Sequence, residues 1–136
     1  MCITIKSKSY TVSCHYVPPS LEPTKRDFDE IINQLPMPYI LCGDFNGHNT
    51  LWTSVDTNKR GAVIEELMDE YHLIPLNTTV KTRYDTIHNT SSLIDLTLAQ
   101  PSIYLDLNSK VLPERHGSDH HPTIVSINSS DLPEPE

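Results

Sequence analysis

Tyr39-Ile40-Leu41-Cys42-Gly43-Asp44-Phe45-Asn46 carries a short apolar run straight into a carboxylate and an amide. The run reads as a short buried strand, and Asp44 and Asn46, two apart, fall on one side of the extended chain at its end. Alone, Gly-Asp-x-Asn is compatible with an Asx-turn, in which these side chains bond only their own backbone. The placing of polar groups elsewhere favours a site. Asp95 sits inside the apolar run Leu93 to Leu98, and Gly117-Ser118-Asp119-His120 lead into the run Thr123 to Ile127. Polar residues so placed would gather at one rim of a sheet, where sites are commonly built.

Outward from this stretch the chain alternates strand and helix patterns. Ser9 to Val17 is rich in β-branched and aromatic residues and stops at Pro18-Pro19, which reads as a strand entering a rigid loop. Phe28, Ile31, Ile32 and Leu35 recur at helical spacing, with Thr24 as N-cap, Asp27 three residues on and Pro36 as terminator. A second helix is expected from about Gly61 to Tyr71, its inner face Ile64, Leu67, Met68 and Tyr71. Leu73 to Leu76, Leu93 to Leu98, Ser109 to Leu112 and Thr123 to Ile127 are further strand candidates. An α/β or α+β sandwich is expected, as one domain over residues 1–128 with an acidic disordered tail over 129–136.

The composition narrows the functional classes. A chain of 136 residues, 37% hydrophobic, allows one core and suggests no membrane span. The N-terminus has no long apolar stretch, so no signal peptide is expected. Cys2, Cys14 and Cys42 are odd in number and lack C-x-x-C spacing, which points to a reducing intracellular setting, nucleus or cytoplasm. The formal charge of −8 disfavours nucleic acid at first sight. Its distribution matters more: without Glu65, Glu66, Asp69 and Glu70 on one helix and Asp131, Glu134 and Glu136 in the tail, the balance is −1. Basic pairs stand at Lys25-Arg26, Lys59-Arg60 and Lys81/Arg83.

The residue types suit phosphodiester hydrolysis, which needs charge offset on the phosphoryl oxygens and a group that orients water. Asp44 is the natural base, and Asn46 can donate an amide hydrogen bond to a phosphate oxygen, or position the nucleophile, without adding charge. His120 can donate to developing charge, and Asp95 would hold its tautomer. Asp119 is left to help position a hydrated Mg²⁺. Other readings apply to other residues. Tyr16, Trp52 and Cys42 are compatible with packing, and His116, His120 and His121 would be a zinc cluster only with a further ligand.

Several stretches together resemble one family: Tyr39 to Asn46, His48 with Leu51-Trp52, Arg60-Gly61 opening a helix, Leu76-Asn77 with Thr82-Arg83, Ser92 to Thr97, and Gly117 to His120 before Pro122. The chain resembles the second half of an endonuclease/exonuclease/phosphatase domain, most closely the apurinic-endonuclease-like domain of non-LTR retrotransposons. Tyr16-Val17-Pro18-Pro19 is similar to the family's active-site tyrosine loop. The resemblance implies a partial four-layered α/β sandwich, Mg²⁺ or Mn²⁺ held with Asp44 and Asp119, and catalysis by Asp44, Asn46, Asp95, His120 and Tyr16. It also implies substrate contacts from Asn46, Thr82, Arg83 and Ser92, with DNA nicked to prime a reverse transcriptase. The family's catalytic asparagine strand and glutamate strand belong upstream of Tyr16, where the fifteen residues present contain neither Glu nor Asn. A truncated domain partnered by its N-terminal half or a reverse transcriptase is therefore expected, and an inactive remnant or a member acting on another phosphodiester is the alternative expectation.

Overall fold

The computed structural model describes residues 2–5 and 8–127. The expected tail from about Ser129 lies outside the described residues. A central five-stranded sheet has the order β1-β2-β3-β7-β4, formed by β1 (Cys2–Ile5), β2 (Lys8–Tyr16), β3 (Tyr39–Asp44), β7 (Asp95–Ala99) and β4 (Ile74–Pro75). Among the described strands of this sheet only β2 and β3 pair in parallel, which obliges the chain to cross over between them.

Helix α1 (Lys25–Ile32) makes that crossover. Thr24 and Asp27 close a capping box, with the Thr24 N–H donating to Asp27 Oδ2 at 2.8 Å. The helix stops short of Leu35 because Gln34 and Leu35 turn back to Ile31 and Ile32 in tight i→i+3 bonds of 3.1 and 3.0 Å before Pro36. Helix α2 (Lys59–Tyr71) begins earlier than its apolar pattern suggests, because Asn58 Oδ1 accepts the Gly61 N–H at 2.8 Å as an N-cap. Tyr71 Oη donates to Asp29 Oδ1 at 2.6 Å, and Lys25 bridges Asp29 and Glu70, which ties the two helices together. Bonding to Asp29 and burial push the Tyr71 hydroxyl up to about 12.

The two faces of β3 are buried by different layers, which is why its sequence is a continuous apolar run and does not alternate. Tyr39 and Leu41, with Leu96 and Leu98 of β7, face the helices and pack with Phe28, Ile32, Ile64, Leu67 and Trp52. Ile40 and Ala99 face the other way, toward Tyr10, Ile103 and Leu107. That second face is covered by an antiparallel pair, β8 (Leu107–Val111) and β9 (Thr123–Ile127), reached through the short helix α3 (Pro101–Tyr104). Trp52 closes the helix side: it is 0% exposed, and its indole N–H donates to Gly47 O at 2.9 Å, the packing role open to it from sequence.

Strand β1, helix α3 and the small hairpin of β5 (Arg83–Asp85) and β6 (Thr90–Ser92) have no counterpart in the expectations; of these the hairpin bears on the site. Its stretch is polar without period. The turn is held by Asp85 Oδ1, which accepts the Ile87 and His88 N–H groups at 2.9 and 3.2 Å. The apolar run expected as a strand from Leu93 becomes regular only at Asp95. Before that, Ile94 bonds elsewhere, its carbonyl accepting the Phe45 N–H at 3.1 Å.

Candidate active site

Strand register builds the site. Tyr16 pairs with Asp44 across β2 and β3, and Asp44 pairs with Asp95 across β3 and β7, so the three form one row at one end of the sheet. Gly43 permits this, since at φ 142° a Cβ there would meet His15 O at 1.9 Å. Asn46, at φ 47°, donates its backbone N–H to Asp44 Oδ1 at 3.0 Å and its side-chain amide to Val17 O at 2.7 Å. The Asx-turn and the site therefore coexist. The side-chain amide expected to reach a phosphate braces the chain just beyond β2, while the Asn46 backbone N–H orients the Asp44 carboxylate.

His120 arrives from the far end of the chain. A backbone bridge to Arg83, with Tyr84 N–H donating to Asp119 O at 2.8 Å and His121 N–H to Thr82 O at 2.6 Å, stitches its loop beside the hairpin. Its Nδ1 lies 2.8 Å from Asp95 Oδ2, while Nε2 faces Asp44 Oδ2 at 3.5 Å and Asp119 Oδ1 at 3.8 Å. Both ring nitrogens thus face carboxylates. Burial raises the Asp44 carboxyl above the ordinary aspartate value, the Asn46 N–H opposes this, and Asp95 adds to it, while His120 and Arg83 oppose it. Asp119 is held below that value chiefly by its bond to Arg83, Nε to Oδ2 at 3.1 Å.

Asp95 is positioned from behind. Thr82 Oγ1 accepts both the Ile94 and Asp95 N–H groups at 3.2 and 3.1 Å. Asn77 Nδ2 donates to Asp95 O at 2.7 Å while its Oδ1 accepts the Thr97 N–H at 3.0 Å. Thr82 is 0% exposed, so its hydroxyl, expected as a substrate contact, lies in the interior and braces the backbone of Ile94 and Asp95. Asn77 and Thr82 are the supporting residues whose work sequence reasoning missed, because nothing local marks a side chain that bonds backbone 12 to 20 residues away. Tyr16, by contrast, is 68% exposed and so stands free beside Asp44, which removes its reading as a packing aromatic.

From Arg83 a groove of about 570 Å³ runs past Ser92, Lys81, Asn58 and His48. Burial and the nearby cations Arg60, Arg83 and Lys81 hold His48 below its ordinary value, in that order. Asp44, Asp95 and His120 can each offer a ligand atom within 4.8 Å of the others, the one such group among the described residues. Asp119 is outside it, turned to Arg83. His116, His120 and His121 together form no metal-competent group among the described residues. Cys42 is partly buried, and burial, with its neighbour Cys14, pushes its thiol up to about 12.

With this geometry in place the chain can be set against known proteins. The model of the endonuclease-reverse transcriptase family matches residues 10–124. The chain belongs to this family. A probable RNA-directed DNA polymerase from transposon X-element of Drosophila melanogaster is 25% identical over 122 residues, 89% of this chain and 13% of that protein. The endonuclease domain of TRAS1, a telomere-specific non-LTR retrotransposon, superposes with a TM-score of 0.78 at 23% identity, covering 93% of this chain and 61% of that one. An endonuclease/exonuclease/phosphatase family protein from Leptotrichia buccalis gives 0.65 at 20% identity, covering 93% and 51%. The fold is that of the endonuclease/exonuclease/phosphatase proteins, and the chain carries a retrotransposon endonuclease-like domain. It spans about an eighth of the X-element protein it matches. No helix among the described residues is long and apolar enough to cross a membrane.

Proposed function

We propose that this domain hydrolyses phosphodiester bonds in DNA with a divalent cation, nicking one strand for the reverse transcription of a non-LTR element. The observation that carries the reading is the dyad: His120, held by Asp95 at 2.8 Å, points its other nitrogen at Asp44 in the row that also holds Tyr16. The residues fit a hard cation. Asp44 and Asp95 would supply carboxylate oxygens for Mg²⁺ or Mn²⁺, Asp119 would add the oxygen that Arg83 leaves open, and other positions would fall to water. When bound, the cation offsets charge on the phosphoryl oxygens.

The chain's own groups divide the remaining work. Asp44, fixed through one oxygen by the Asn46 N–H, accepts a proton from an attacking water. His120 donates from Nε2 to the developing charge, with Asp95 keeping the Nδ1 proton in place. The Tyr16 hydroxyl, exposed on the same rim, contacts the phosphate. Arg83 and Ser92 lead the nucleic acid strand into the groove toward Lys81, where local positive charge overrides the acidic total.

Relaxation of supercoiled plasmid with Mg²⁺ tests this. His120→Ala should lower turnover by about 10²–10⁴-fold with much less effect on DNA affinity. Nicking that survives chelation, or unchanged turnover in His120→Ala, rejects the roles assigned.

One observation favours a second reading, in which this chain alone is nearly silent. The cation-competent group contains no glutamate, and Glu22 and Glu30 are paired away with Arg60 and Arg26 at 2.7 and 3.7 Å. Supplying an upstream segment with a glutamate separates the two. Equal nicking with and without it supports an active chain; nicking restored by the glutamate segment and not by its Gln version supports the silent one.

A further inference from the structure

Directly behind the row of Tyr16, Asp44 and Asp95, the next row on the same face of the sheet is Cys14, Cys42 and Thr97, paired across β2, β3 and β7. The two sulfurs lie 3.3 Å apart and are not bonded as a disulfide. Neighbouring strands stand about 4.7–4.9 Å apart. That spacing falls inside the Cα separation of about 4.4–6.8 Å that a disulfide spans. Residues in direct register send their Cβ atoms to the same side, so no strand has to turn over for the bond to form. Cys14 is exposed, so a small reagent reaches it from solvent. Cys42 borders an apolar cavity of about 370 Å³ with Tyr10, Val12, Ile40 and Val125, which leaves room beside the pair for an organic group.

We propose that Cys14 and Cys42 form a dithiol modification site, closed to a disulfide by peroxides and bridged by trivalent arsenicals. In the first reaction the Cys14 sulfur attacks one peroxide oxygen, the O–O bond breaks, and Cys14 sulfenic acid and water result. The Cys42 sulfur then attacks the Cys14 sulfur, the S–O bond breaks, and the hydroxyl leaves as a second water with the Cys42 proton. Two thiols are oxidised and one peroxide is reduced to water. In the second reaction an organic arsenic(III) oxide takes both sulfurs onto one arsenic and loses its oxygen as water, with no change of oxidation state. The site is independent of the proposed hydrolysis, since it needs neither cation nor nucleic acid.

The test uses the whole chain with Cys2→Ser, which removes the third thiol. After hydrogen peroxide, alkylation and peptide mass mapping should find Cys14 joined to Cys42 in monomeric protein, with both free thiols restored by dithiothreitol. Because closure depends on sheet register, it should slow by at least about 10-fold in urea, where the effective concentration of one thiol at the other is lost. Phenylarsine oxide should bind one per chain, and either Cys14→Ser or Cys42→Ser should abolish that binding. Stable oxygen adducts on Cys14 with Cys42 still free, disulfides between chains, closure as fast in urea as in the folded chain, or arsenical binding that survives Cys14→Ser would each overturn the assignment. The unsubstituted pair carries the test, so a variant that fails to fold does not decide it.

Discussion

Replacing Thr82 by Val keeps the branched shape of the side chain and removes one oxygen. That oxygen accepts the N–H groups of Ile94 and Asp95 at 3.2 and 3.1 Å, in a residue with no exposed surface. Neither amide can turn to water without opening the core beside Leu93 and Ile94, both buried. An orphaned buried donor costs about 1–3 kcal/mol, so losing the shared acceptor should cost roughly 2–4 kcal/mol after partial relaxation. Thr82→Ser keeps the oxygen and deletes a methyl group, at about 1 kcal/mol. Against a domain stability of about 5–15 kcal/mol, the two substitutions are readily separated by urea unfolding. Hydrogen exchange gives a second reading. The Ile94 and Asp95 amides should lose protection in the Val variant and keep it in the Ser variant. If Val is as well tolerated as Ser, Thr82 does not hold Asp95 in place, and the reasoning that joins the fold to the His120 dyad fails.

Asp44→Asn keeps an oxygen to accept the Asn46 N–H and removes the charge, so turnover should fall by about 10²–10⁴-fold, measured as plasmid nicking. The same change should stabilise the metal-free fold near neutral pH. The raised Asp44 value means the folded state favours the neutral acid, a contribution complete below the unfolded value of about 3.9 and lost as pH rises through the folded one. The melting advantage of Asn over Asp in chelator should therefore grow from acid toward neutral pH, and a gap that ignores pH would refute the assignment. Trp52→Ala should cost about 3–5 kcal/mol by urea unfolding, because it empties a fully buried indole site and orphans Gly47 O. Gly61→Ala would ordinarily favour a helix by about 1 kcal/mol. Here its Cβ would meet His48 O at 1.9 Å, so a lowered melting temperature is expected, and a raised one would contradict the close approach of α2 to that loop.

What the sequence disclosed about this site was its strand ends. An apolar run closed by Gly43 and Asp44, a carboxylate at Asp95 and a Ser-Asp-His turn before β9 are local patterns, and pairing in register brings the first two together directly. What it hid was long-range support. Thr82 and Asn77 act by hydrogen bonds to backbone 12 to 20 residues away, and the β5–β6 hairpin pairs polar residues whose side chains carry no period. Asp119 shows the same limit. Its place beside His120 in sequence suggested a cation ligand, yet the hairpin brings Arg83 to within 3.1 Å and occupies one of its oxygens. Asn46 was legible as either a turn residue or a site residue, and it is the turn that orients the site.

The charge total misleads for a related physical reason. Coulomb interactions fall with distance and are screened over about 8–10 Å in ordinary salt, so acids farther than a Debye length from the rim contribute little there. The field there is set by what folding places nearby. Arg60, Arg83 and Lys81 are close enough to depress His48, while Asp44, which also feels Arg83, stays poorly solvated. On the proposed function, the carboxylates of the rim would repel a nucleic acid strand drawn along Lys81 and Arg83 unless a metal ion neutralised them. DNA affinity should therefore rise with added Mg²⁺ and fall with added monovalent salt, and that metal-induced gain should shrink in Asp44→Asn, where one carboxylate is already gone. Filter binding at fixed ionic strength measures both. An affinity indifferent to Mg²⁺ in the unsubstituted chain would separate the groove from the carboxylate rim and break the link between them.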